Sequence, residues 1–162
     1  MKGSELPGYA GLVDYAISCG ETSISLENKD RDHARELIRQ LINNARESIV
    51  ILCHRLARDV YGSREVTAAL VNAYKNNPDL KCTVYLRDYP QITPFLMHLA
   101  KHGVLPKTLK KEIELGDILI VDGENGREEC DPIRRTAKGI IRNREWGDEA
   151  LHKLEQAVTM AI

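Results

Sequence analysis

The chain has 162 residues, with 23 Lys and Arg against 24 Asp and Glu, for a formal net charge of -1. That length supports one domain with a continuous core that needs neither disulfides nor metal. A hydrophobic content of 43% with 29% charged residues excludes a disordered, collagen-like or coiled-coil chain. The near-neutral total excludes holding a polyanion by bulk charge alone, and 5% aromatics argue against a stacking sheet for single strands.

The N-terminus, Met1-Lys2-Gly3-Ser4-Glu5, carries no apolar leader, and residues 1–20 read as a leading segment. Within it Leu12, Val13, Tyr15, Ala16 and Ile17 suggest a short helix, and residues 21–162 read as the domain proper. Ser23 to Glu27 alternates polar and apolar residues, the pattern of a short strand. Ala34, Leu37, Ile38, Leu41, Ile42 and Ala45 recur with helical period, and Asp30 or Asp32 can cap that helix. Ile49-Val50-Ile51-Leu52-Cys53 is a continuous β-branched run, which predicts a strand covered on both faces.

Val66, Ala69, Leu70, Ala73 and Tyr74 mark a second helix, with Ser63 as its cap and Asn77-Pro78 at its end. Cys82 to Leu86 is the next strand, and Thr93-Pro94 opens a third helix that Gly103 closes. Ile118 to Val121 forms a strand running into Asp122-Gly123, and Glu128 to Cys130 and Ala137 to Ile141 suggest two more. Ala150, Leu151, Leu154, Ala157, Val158 and Ala161 close the chain as an amphipathic helix. The order predicts an α/β protein, an α/β/α sandwich around one mixed sheet.

No stretch approaches the roughly 20 apolar residues of a membrane span. Cys19, Cys53, Cys82 and Cys130 form no Cys-x-x-Cys pair, so four reduced thiols in a cytoplasmic protein are expected, with no metal and no cofactor.

In element order and local phrasing, residues 23 to 161 resemble one half of a phospholipase D-like fold. Ala34-Arg35-Glu36-Leu37-Ile38 through Ser48-Ile49 is similar to the family's first helix and following strand. Ile118 to Gly123 resembles the strand and turn that end its signature. The family's motif is His-x-Lys-x-x-x-x-Asp, in which the His attacks phosphorus and the Lys steadies the phosphate. Setting the motif's Asp on Asp122 puts Leu115 in the His position and Asp117 in the Lys position. Leucine forms no phosphohistidine, and a carboxylate repels a phosphodiester. The resemblance thus implies a member without the family's chemistry, and Asp122 reads as a strand-end carboxylate that accepts backbone hydrogen bonds in the Asp122-Gly123 turn. Single-domain members pair two-fold to join half-sites, so a homodimer is implied.

Ligand sites in α/β sheets gather at the carboxyl ends of strands. His54 and Arg55 follow one strand, Arg87 and Asp88 the next, and Asp122 a third, so these five are the candidate cleft. His33, His98, His102 and His152 read as structural or solvent-exposed. Eight acids and one base, Arg127, lie between Glu112 and Asp131, and Arg134, Arg135, Lys138, Arg142 and Arg144 follow with no acid among them. That basic block can contact an anion such as a phosphate, or face the acids across a hairpin. The leading expectation is a non-enzymatic binding or regulatory module with a protein partner and no membrane contact. The alternatives are an altered phosphoester or nucleotide enzyme using His54 with Asp88, and a nucleic-acid binder using the basic block.

Overall fold

The computed structural model describes residues 8–131 and 136–162. Helix α1 (Tyr9–Ser18) leads into strand β1 (Ile24–Asn28), followed by α2 (Arg31–Asn43) and β2 (Ser48–Cys53). Then come α3 (Arg64–Asn76), β3 (Lys81–Leu86), α4 (Pro94–Lys101) and the two-residue β4 (Lys107–Thr108). Strands β5 (Ile118–Val121), β6 (Asn125–Asp131) and β7 (Thr136–Ile141) form a meander before the closing helix α5 (Arg144–Thr159).

Side-chain caps set four of the helix starts, each accepting an otherwise unpaired backbone N–H. Asp30 accepts from His33 N–H at 2.8 Å, Ser63 from Val66 at 3.3 Å, Thr93 from Leu96 at 3.4 Å and Asn143 from Trp146 at 3.0 Å. The last of these starts α5 six residues before its apolar stripe suggests. The expected strand at Glu128 to Cys130 is the end of the longer β6, and β4 is too short to leave a periodic signal.

The seven strands form one mixed sheet in the order β1-β7-β6-β5-β2-β3-β4. Strands β2, β3 and β4 run parallel, whereas β5 is antiparallel to β2 and begins the antiparallel side of the sheet. Helices α1 to α4 cover one face, over Ile49, Ile51, Cys53, Val84, Leu119 and Val121. Helix α5 covers the other, over Leu52, Ile118 and Ile120. Alternate residues of β2 and β5 therefore enter opposite cores, which is why both strands read as unbroken apolar runs. Among the described residues no helix is long and apolar enough to cross a membrane.

The first helix is bound into this layer. Val13 and Ala16 are buried, Tyr9 stacks on His33 at 3.8 Å between ring centres, and Gln40 donates to the Ala10 carbonyl at 2.8 Å. His98 and His102 pack against Tyr74 of α3, with His102 stacked 3.7 Å from its ring.

Candidate functional site

Strands β2 and β3 are parallel and in register, Cys53 opposite Leu86, so the residues after each leave the sheet at the same edge. Backbone bonds continue past the strand ends: Arg87 N–H donates to the Cys53 carbonyl, Asp88 to His54 and Gln91 to Arg55. His54, Arg55 and Arg87 thus come together at the carboxyl end of the parallel strands, lining a cleft of about 620 Å³. Its floor is Ala34, Ile38, Cys53, Leu56, Val60 and Tyr61. Leu56 is 1% exposed and has φ of +58°, so a buried leucine anchors the turn that presents His54 and Arg55.

Two of the five expected cleft residues lie elsewhere. Because β5 is antiparallel to β2, its carboxyl end meets the beginning of β2, not its end. Asp122 therefore sits at the opposite end of the sheet, beside Arg46 and Arg142. There its carboxylate accepts from the backbone N–H groups of Arg46 at 3.0 Å, Glu47 at 2.7 Å and Ser48 at 3.0 Å. It is a strand-end carboxylate, but the donors belong to the approach to β2 and not to its own turn. Asp88 is exposed and outside the cleft lining; its carboxylate accepts from the adjacent Tyr89 N–H at 2.7 Å and shares no hydrogen bond with His54 among the described residues.

The same strand reversal brings the approach to β5 into the cleft. Leu115, Gly116 and Asp117 line it, with Arg127 and Glu129 from β6 and Arg31 and Asp59 from the α2 side. Arg87 joins two elements: its guanidinium pairs with the Asp117 carboxylate and donates to the Leu115 carbonyl at 2.6 Å. Arg31 pairs with Asp59 at 3.2 Å. Nothing in the local sequence marks Arg31, Asp59, Arg127 or Glu129 as neighbours, since the sheet order alone brings them together.

The floor of the cleft is chemically quiet. Burial pushes the Cys53 thiol up to about 12, with the Asp117 charge adding to the shift, so it holds its proton and is no nucleophile. Burial likewise raises the Tyr61 phenol well above its ordinary value. Among the described residues no group of three or more His, Cys, Asp or Glu side chains could hold a metal ion.

The basic block is largely committed to the fold. Lys138 faces Glu128 across the β6–β7 hairpin at 3.9 Å, and Arg144 pairs with Glu124 at 3.2 Å. Arg142 caps the end of α1, donating to the carbonyls of Ala16 at 2.5 Å, Ile17 at 2.7 Å and Glu21 at 2.6 Å. Arg134 and Arg135 lie outside the described residues.

No protein-family profile matches this sequence, and no curated protein sequence does. Solved structures do match. Nuc of Salmonella typhimurium, a phospholipase D family member, is 16% identical with a TM-score of 0.61, over 87% of this chain and 96% of that one. TrmBL2, an archaeal chromatin protein with a novel mode of DNA binding, is 15% identical with a TM-score of 0.62. That match covers 93% of this chain but only 59% of TrmBL2. NucT of Helicobacter pylori is 12% identical with a TM-score of 0.54, over 86% of this chain and 98% of that one. Together with the open seven-stranded mixed sheet and the helices on its two faces, these likenesses establish that the chain has the phospholipase D-like fold.

Proposed function

We propose that this chain is a non-enzymatic phospholipase D-like module that binds a ligand or a protein partner through the cleft at the end of β2 and β3. One observation carries the reading. Leu115 and Asp117, the positions matched to the family's catalytic His and Lys, both line the cleft, and Asp117 there neutralises Arg87. A guanidinium already held by a carboxylate has little left for a transferring phosphoryl group. The alternative of His54 acting as a base with Asp88 lacks the hydrogen bond that would orient the imidazole. A nucleic-acid role through the basic block is weakened by the engagement of Lys138, Arg142 and Arg144 within the fold.

The family resemblance supports a two-fold homodimer, with half-sites that have kept their fold and lost their reaction, and the free thiols of Cys19, Cys53, Cys82 and Cys130 support a cytoplasmic location. Two assays test this. Incubation with bis(p-nitrophenyl) phosphate and with plasmid DNA should give no product above buffer, whereas steady turnover abolished by His54→Ala would refute the non-enzymatic reading. Light scattering on a sizing column should give twice the chain mass, and a monomer throughout the micromolar range would refute the dimer.

A further inference from the structure

The cleft contains two guanidiniums that the fold positions without neutralising. Arg31 and Arg87 face Asp59 and Asp117, but Arg55 and Arg127 form no ion pair among the described residues. Among the described residues each is held by Nε alone: Arg127 donates to Asn28 Oδ1 at 2.7 Å, and Arg55 to the Tyr89 carbonyl at 2.9 Å. Asn28 is 2% exposed, and its amide is oriented by donation from Nδ2 to the Asp30 carbonyl at 3.1 Å, so its oxygen faces Arg127. Tethering through Nε fixes the plane of a guanidinium and leaves both Nη groups to make the forked contact that suits a carboxylate or phosphate. Arg127 is half-buried, where such a contact is stronger than in water.

The rest of the lining narrows the occupant. Among the described lining residues, three carboxylates, Asp59, Asp117 and Glu129, stand with four guanidiniums, so this part of the wall is close to electrical balance. A polyanion threading the cleft would meet those carboxylates at successive phosphates. A compact anion would instead place its charge on Arg127 and turn its own hydroxyl or ammonium donors toward Asp117 or Asp59. The volume of about 620 Å³ falls within the roughly 300–1,000 Å³ usual for small-molecule sites.

We infer that the cleft binds a small organic anion, carboxylate or phosphomonoester, that carries hydrogen-bond donors of its own, with Arg127 as its anchor and Arg55 at its rim. This rests on the reading of the chain as a binding module and specifies what that module binds.

Titration of the 15N-labelled protein with L-malate and with glycerol 3-phosphate tests it, the tighter of the two naming the head group. At least one probe should give saturable shifts below about 10 mM, confined to His54, Arg55, Gly116, Asp117 and Arg127. Arg127→Met should weaken it about tenfold or more. Arg55→Met, which leaves Asn28 untouched, should also weaken it if the first variant fails to fold. Succinate, malate without its hydroxyl, should bind more weakly than malate. Saturation by neither probe, shifts away from the cleft, indifference to both substitutions, or succinate binding as tightly as malate would each overturn the inference. Phosphodiester turnover by the same sample would refute the non-enzymatic reading while leaving the anion site standing.

Discussion

Removing the Asp122 carboxylate should destabilise the fold without touching the cleft. The carboxylate gathers three backbone N–H groups in the approach to β2, at 2.7 to 3.0 Å. The donors at Arg46 and Glu47 are exposed, so water replaces the lost acceptor and each bond is worth about 0.5–1 kcal/mol. The Ser48 N–H is partly buried at the start of a central strand, where losing a charged acceptor costs about 2 kcal/mol. Asp122 also has φ of +55°, a conformation that aspartate tolerates better than alanine by about 1 kcal/mol.

Asp122→Ala should therefore lose about 4 kcal/mol and Asp122→Gly, which relieves the dihedral, about 3. Asp122→Asn keeps an acceptor and tolerates the dihedral, and should lose about 1 kcal/mol. At this chain length, the alanine variant's loss corresponds to a fall in Tm of about 8–16 °C. The sole tryptophan, Trp146, is 9% exposed in the α5 core, so its fluorescence reports urea unfolding directly. Alanine within about 0.5 kcal/mol of wild type, or asparagine as damaging as alanine, would refute the assignment of the carboxylate as an acceptor for these donors.

Burial, with His102 and Lys101 beside it, holds the His98 imidazole below its ordinary 6.5. The unfolded chain then takes up this proton before the folded one does, so stability present above about pH 6.5 should fall as the pH drops below it, and thermal melts of His98→Gln should lose less over that window. Gly126→Ala would place a methyl 2.0 Å from the Leu119 carbonyl oxygen and 2.4 Å from the Trp146 ring. That clash should cost about 3 kcal/mol and shift the tryptophan emission. Arg142→Lys cannot reach three carbonyls at once, so limited proteolysis should cut more readily between residues 18 and 23 while α5 stays protected.

Most of the architecture was legible because its signals are local. The stripe from Ala34 to Ala45 and the caps at Asp30, Ser63 and Thr93 describe α2, α3 and α4 within a turn of their ends. The start of α5 was missed because Asn143 precedes Arg144-Glu145, which carry no apolar periodicity, and the cap alone marks the helix. The site was legible only in part. His54, Arg55 and Arg87 follow from two parallel strands, a relation that covered, continuous apolar runs announce. The direction of β5 is different, because Ile118 to Val121 is equally apolar whichever way it runs.

That one direction decides what the cleft contains. Had β5 run parallel to β2, Asp122 would have joined His54 and Arg87, a carboxylate and an imidazole beside a guanidinium, suited to acid–base work. Running antiparallel, β5 sends Asp122 to the far end, where it accepts from the approach to β2, and delivers Leu115 and Asp117 to Arg87. The residue that matches the motif thus serves stability, and the two that break it line the cleft. A phosphoryl-transfer site concentrates positive charge on one group, whereas this cleft neutralises Arg87 internally and leaves Arg127 and Arg55 tethered at their Nε atoms. On the binding reading proposed above, such an arrangement would hold an anion without straining it, and binding without strain gives affinity and no rate.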